Sequence, residues 1–231
     1  VMLLGLCACA ASGDKKTDDA AATATDGKKT IGILMPTKEQ TIWSIQGERL
    51  TAAFEGAGYA TQIEYAEDDS AKQAMQIENM ITKGVNALVI VAVDCAALTD
   101  ACEKAKDAGI YVIAEDRLIT NTEAVDYYIT FDLTRMGELQ GQYIVDKLDL
   151  ENQDGPFTLE IFSGSQDDTN ATFFYEGAMN KLQPYIDNGK LVIKSGQTSY
   201  TQTAIQSWDS SKAQSRMDNL LSGYYAVDHL D

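Results

Sequence analysis

Four apolar runs in the first 131 residues each break off into charged or aromatic residues. Ile31-Gly32-Ile33-Leu34-Met35 runs out into Pro36-Thr37-Lys38-Glu39, with Trp43 close behind, and Ala87 to Val93 delivers Asp94. Ile110 to Ala114 delivers Glu115-Asp116-Arg117, and Tyr127 to Phe131 delivers Asp132. Later, Phe157 to Phe162 leads to Gly164-Ser165-Gln166-Asp167-Asp168-Thr169-Asn170, and Trp208 follows in the loop after Lys194. Carboxylate, amide and guanidinium groups present paired, planar hydrogen-bonding edges. An indole presents an apolar face. Together they suit a small polyhydroxyl molecule such as a monosaccharide, whose hydroxyls donate and accept while its C–H faces pack on a ring. A buried site of this kind rejects analogues that leave a polar group unpaired.

The candidate ligand-binding residues are therefore Trp43, Asp94, Asp116, Arg117, Asp168, Asn170 and Trp208. Each also has a plainer reading. Asp94 can cap a helix, Asp116-Arg117 can form a structural ion pair, and either tryptophan can belong to the core. The adjacent acids Asp68-Asp69 and Asp167-Asp168 read as solvated loops, not as a catalytic carboxylate pair.

The elements that position these residues follow a βαβ rhythm. A strand over Ile31–Met35 precedes a helix from Ile42 to Ala57 closed by Gly58. A weak strand at Gln62–Tyr65 precedes a helix capped by Ser70, ending at Gly84, with a stripe of Ala74, Ile77 and Ile81. Ala87–Val93 is apolar on both faces, as a central parallel strand should be. Leu98, Ala101, Cys102 and Ala105 mark a helical stripe ended by Gly109. Strands recur about every 25 residues, which predicts an α/β fold with a parallel sheet flanked by helices. In such sheets ligands bind beyond the carboxyl ends of the strands, where the candidate residues stand. Around Asp132 the pattern restarts: helix 135–148, strand Phe157–Phe162, helix 172–187, strand Lys190–Lys194 and helix 211–221. This predicts a first lobe at 31–132 and a second, incomplete (truncated) lobe at 133–231.

Composition excludes several classes. Asp and Glu number 35 against 18 Lys and Arg, a net charge of −17, which would repel a nucleic-acid backbone. Hydrophobic residues make up 45%, ample for a packed core. The single histidine, His229, argues against a Ser-His-Asp or Cys-His device. No CxxC pattern points to zinc, and no glycine-rich phosphate loop is present, so no metal or cofactor is expected. Cys95 and Cys102 stand seven apart on the expected helix, about 10 Å, which predicts buried thiols and no disulfide. Val1 to Ala11 is too short to span a bilayer and reads as the end of a signal peptide. Leu6-Cys7-Ala8-Cys9 resembles a bacterial lipobox, which implies cleavage before Cys9 and a lipid on its sulfur. Ser12 to Thr30 carries no large apolar side chain and reads as a flexible tether.

Several segments resemble the ribose/xylose/galactose-type periplasmic binding proteins. They are Met35-Pro36-Thr37 near Trp43, Gln76 to Ile81, Lys83-Gly84-Val85, Glu115 to Ile119, Tyr128 to Asp132, Gly164 to Ala171, Leu182 to Asp187 and Arg216 to Leu221. The likeness runs in order from about residue 30 to 225, toward the multiple-sugar and xylose branch of the family. It implies two Rossmann-like lobes joined by a hinge of three crossings, with a sugar clamped between them. By this resemblance Asp116-Arg117 bond ring hydroxyls, Trp43 and Trp208 sandwich the sugar, and Asn170 with Asp168 supply second-lobe partners. Asp94 is a neighbour, and Asp132 lies at the first hinge crossing.

The likeness implies no catalysis. It implies an extracytoplasmic lipoprotein that hands a pentose or hexose to an ABC permease with a separate ATPase subunit, touching the membrane only through its lipid. A sugar sensor presenting its ligand to a chemoreceptor or sensor kinase has the same fold and site. Sugar-responsive repressors share the effector fold, but they need a helix-turn-helix where this chain has a lipobox and tether. The chain departs from close relatives at Ile42, where a basic residue is usual, at Glu115, often Tyr, at Leu133, often Asn, and at Phe174, Arg in some hexose binders.

Overall fold

In the computed structural model, residues 27–225 are described. Cys9, most of the expected tether and His229 lie outside them.

The first sheet has five parallel strands: β1 Thr30–Met35, β2 Ala60–Tyr65, β3 Ala87–Ile90, β4 Tyr111–Glu115 and β5 Tyr127–Ile129, in the order β2-β1-β3-β4-β5. Side chains alternate between its faces. Leu34, Leu88, Ile90, Val112 and Ala114 pack against helices α2 (Ser70–Thr82) and α3 (Thr99–Asp107). Ile31, Ile33, Met35, Val89 and Val91 pack under α1 (Thr41–Gly56), with Trp43 from that helix. The strand order reverses between β1 and β3, so a crevice opens beyond their carboxyl ends.

Beyond β5 come α4 (Leu133–Lys147), β6 (Phe157–Thr158), α5 (Thr169–Asp187), β7 (Leu191–Val192), the short α6 (Tyr200–Thr203), a 3₁₀ turn at Gln206–Trp208 and α7 (Ser210–Tyr224). β6 and β7 pair in parallel, and an isolated bridge joins Ser163 to Ala204. Helices α4 and α5 touch backbone to backbone. A Cβ on Gly137 would lie 2.2 Å from the Phe174 carbonyl oxygen, and one on Gly177 2.2 Å from that of Thr134, an approach open only to glycine.

Four local expectations are corrected. Asp69, not Ser70, caps α2, its carboxylate accepting the Lys72 N–H at 3.0 Å. The tether stops short of Thr30, which is buried as the first residue of β1. Cys95 lies in the loop after β3 and not on α3; it and Cys102 are free, buried thiols. The strands expected over Phe157–Phe162 and Lys190–Lys194 pair over two residues each. Past Val192 the chain turns away, and the Glu160 carboxylate takes the Ser195 N–H (3.0 Å) and hydroxyl (2.5 Å) in place of a ladder.

Candidate functional site: a carboxylate-rich cleft at the strand ends

The carboxyl end of β4 turns sharply. Asp116 adopts φ +60°, with its N–H donated to Ile129 O at 2.8 Å. Ser207 (φ 58°) and Trp208 (φ 53°) share this left-handed backbone in the loop before α7. For residues other than glycine this costs about 1–3 kcal/mol each, and such strain clusters at binding sites. Here it is held by tertiary contacts: the Ser207 N–H donates to Ser165 Oγ at 2.7 Å, and the Trp208 indole N–H to Asp168 Oδ2 at 3.0 Å.

The turn aims Arg117 across the crevice. Its guanidinium donates to the carbonyls of Ala92 (2.9 Å) and Val93 (3.3 Å), and its carbon lies 5.4 Å from the Trp43 ring centroid. Its Nε stands 3.0 Å from Asp168 Oδ2, an ion pair between buried side chains without hydrogen-bond alignment. Asp168 also caps α5, Oδ1 accepting the Asn170 N–H at 2.9 Å. Asn170 Nδ2 then donates to Asp116 Oδ1 and to the Asp116 carbonyl, both at 3.0 Å. Elements from both sides of Asp132 are thereby stitched together. Gln40 Nε2 to Ser207 O (3.4 Å) and the Cys95 N–H to Asp167 O (3.2 Å) add to the seam.

Six of the seven candidate residues therefore meet in one constellation. Asp94 does not join it: Oδ1 accepts the N–H groups of Ala96 (2.8 Å) and Ala97 (3.1 Å), so it caps a turn. Trp43 is buried in the α1-side core, while Trp208 is 38% exposed, close over Gly164. The two indoles flank the Arg117–Asp168 pair. Asp116 and Arg117 reach opposite partners and do not bond each other. Asp132 caps α4, accepting the Arg135 N–H at 2.9 Å.

Sequence reasoning missed Gln40, Gln46 and Tyr128, and read Asp68 as part of a solvated loop where burial raises its carboxyl. Gln40 accepts the Trp43 indole N–H at 3.1 Å, and Tyr128 donates its hydroxyl to Asp116 O at 3.2 Å. The spacing of Gln40 and Gln46 to Trp43, about one helical turn each, was the available signal. Asp68 lines a cavity of about 30 Å³ with Val93, Arg117, Asp167, Ser207 and Trp208. That volume admits one or two waters; ligand pockets run to about 300–1,000 Å³.

The cleft is electrostatically loaded. Burial raises the Asp116 carboxyl above the usual carboxylate range, against the pull of Arg117 and with added repulsion from Asp168. Burial likewise raises Asp68, with Arg117 opposing. Glu115 is pushed up to about 7 by burial, with the Asp116 charge adding and the hydrogen bond from Gln46 opposing. The Cys95 thiol is raised chiefly by burial. Among the described residues, no group of His, Cys, Asp and Glu could hold a metal ion.

This fold, with its ligand-type residues at a strand-order reversal, is that of a two-sheet α/β binding protein. The periplasmic binding protein domain family matches residues 31–231, and the chain belongs to that family. It is 52% identical over 204 residues to the multiple sugar-binding periplasmic receptor ChvE of Rhizobium radiobacter, an alignment covering 88% of this chain and 58% of the relative. It is 31% identical over 192 residues to the D-xylose-binding periplasmic protein of Escherichia coli K12, covering 83% and 54%. A solved ABC transporter solute binding protein from Clostridium phytofermentans, with bound β-D-glucose, superposes with a TM-score of 0.85 at 45% identity, covering 87% of this chain and 62% of that one. The chain spans a little over half the length of the curated relatives it matches.

Proposed function

We propose that this chain is the capture subunit of a sugar import system, an extracytoplasmic lipoprotein anchored through Cys9. It clamps a pentose or hexose, such as xylose, arabinose, glucose or galactose, between a lobe at 31–132 and a lobe at 133–231. It then delivers the sugar to an ABC permease with a separate ATPase subunit. The observation that carries the reading is the pair of hydrogen bonds that Asn170 Nδ2 donates to Asp116, backed by Arg117 and Asp168. Each group that bonds its opposite number across the cleft is one that bonds a sugar hydroxyl equally well. Hinge separation of the lobes exposes these groups, and closure on a sugar replaces protein–protein bonds with protein–ligand ones. Trp208, half-exposed at the rim, supplies the apolar face. The relatives' printed names, multiple sugar-binding and D-xylose-binding, support this ligand class. The name of one as a receptor supports a second role, presentation of the bound sugar to a chemoreceptor or sensor kinase.

A thermal-shift screen against xylose, arabinose, ribose, glucose, galactose and fucose tests the reading, since a ligand that binds only the folded state raises Tm by mass action. A shift with one or a few sugars, abolished by Asp116→Ala, is expected. A well-folded sample that no sugar shifts refutes the assignment.

A further inference from the structure

Helix α2 buries two glutamines, Gln73 and Gln76, beside Ile77 and Met80. A buried side-chain amide is costly unless its polar ends are bonded, and both ends of Gln73 are. Its Nε2 donates to Val91 O at 2.9 Å, and its Oε1 accepts the Val93 N–H at 2.8 Å. These bonds fall where the strand ladder runs out. β3 pairs with β1 and β4 as far as Ile90, and the Val91 N–H is still donated to Leu34 O at 2.9 Å. From there Gln73 stands in for a strand partner on both sides of Ala92. The carbonyls of Ala92 and Val93 are left to Arg117, whose Nη1 donates to them at 2.9 and 3.3 Å. Val93 and Arg117 in turn line the small cavity that Asp167, Ser207 and Trp208 close from the other side of Asp132. A continuous set of contacts thus runs from the core face of α2 to the guanidinium in the cleft.

We propose that Gln73 is a positioning residue for the ligand cleft: by clamping Val91 and Val93 it fixes the two carbonyls on which Arg117 rests, and so sets where the guanidinium meets a sugar hydroxyl. The proposal rests on the sugar-binding reading above and deepens it. Gln73 acts through Arg117 and not by contact with the sugar. Binding groups must be held within about 0.5 Å of the productive geometry by side chains that are themselves locked in place. Asp168, the ionic partner of Arg117, stands on the second lobe. When the lobes part, the two carbonyls and the Trp43 ring are what keep the guanidinium aimed at the incoming ligand.

The test has two readouts. One is calorimetric titration of the purified chain with glucose, or with whichever sugar of the panel above raises Tm most. The other is the Arg117 Nε–H resonance in nuclear magnetic resonance spectra recorded without sugar, assigned by its loss in Arg117→Lys. Gln73→Leu removes both bonds at similar volume. It is expected to weaken sugar binding on the order of tenfold and to move the Arg117 resonance, while those of Arg49, Arg135 and Arg216 stay in place. Gln73→Met, with a more adaptable side chain, takes over if the leucine variant does not fold. A merely structural role for Gln73 predicts a lower Tm with neither change. Unaltered affinity or an unmoved Arg117 resonance in a folded variant overturns the proposal. So does fast hydrogen exchange of the Val93 N–H in the unsubstituted chain, a result that needs no variant. Sugar binding that the Gln73 substitutions leave intact sinks this inference alone, whereas failure of every sugar of the panel to bind sinks the function as well.

Discussion

Arg117 Nε lies 3.0 Å from Asp168 Oδ2, and the two side chains are 7% and 4% exposed. They stand 51 positions apart in the chain, one at the end of β4 and the other capping α5. Asp168 serves three groups at once: the Arg117 guanidinium, the Asn170 N–H and the Trp208 indole. Its removal leaves a buried cation without a counter-charge, and breaking a buried pair in this way costs about 3–5 kcal/mol. Asp168→Ala is expected to lower Tm strongly in thermal denaturation followed by circular dichroism. Asp168→Asn, which keeps an oxygen for the cap, is expected to lower it less. Equal stability of Asp168→Ala and the unsubstituted chain would show that the pair does not form.

Asp116 combines a ligand-type carboxylate with left-handed backbone. Asparagine tolerates that conformation, whereas a β-branched residue there is a strong outlier. Asp116→Asn is thus expected to fold with a Tm near the original while losing most of the sugar-induced shift. Asp116→Val is expected to lose about 1–2 kcal/mol of stability besides. Chemical denaturation of both variants, with and without sugar, separates the two effects.

The Trp208 ring lies so close to Gly164 that a Cβ there would fall 2.1 Å from it. Gly164→Ala is expected to push the indole off the cleft wall and away from Asp168. The measurable results are a change in tryptophan emission and a weakened sugar-induced shift. Overpacking of this kind typically costs about 1–3 kcal/mol. An unchanged spectrum and unchanged sugar response would refute the close stack.

Glu115, at about 7, stands well above an ordinary glutamate, chiefly because burial disfavours its charge. Its folded-state value is raised, so the folded chain binds more protons than the unfolded chain between the two values. The associated stability is fully present below the unfolded value of about 4.3 and is lost as pH rises through about 7. Asp116 and Asp68, also raised by burial, act in the same direction. The expected result is a Tm that falls from roughly pH 4 to roughly pH 7, with a shallower fall in Glu115→Gln. A slope equal in the two proteins would place the titration elsewhere.

Much of the architecture was readable from the chain. Leu98, Ala101, Cys102 and Ala105 recur at helical spacing because one face of α3 must be apolar, and all four are buried. Ala87–Ile90 is apolar on both faces because helices cover the sheet on both sides. Strand ends draw attention to candidate residues because a parallel sheet gathers its carboxyl ends at one edge, and this brought Asp116 and Arg117 into view. Where the reading slipped, competition between neighbours was the cause. Asp69 outbid Ser70 for a cap, and the Glu160 carboxylate replaced strand pairing beyond Val192. Asp94 followed the strand-end rule, yet its carboxylate accepts two N–H groups of its own turn.

Periodicity and residue type thus carry the strands, the helices and the chemistry available at the cleft edge, because these depend on short-range spacing along the chain; the strand order β2-β1-β3-β4-β5 comes from the tertiary structure. They are silent on partners. That Asn170 meets Asp116, 54 positions away, and that Asp168 holds Arg117 and Trp208 together, follows from how α1, α5 and the loop before α7 pack around the strand ends. That Oε2 of Glu115 is buried without a partner has the same origin. Its neighbours include one amide and no second donor, a fact of packing distance that no pattern of residues along the chain records.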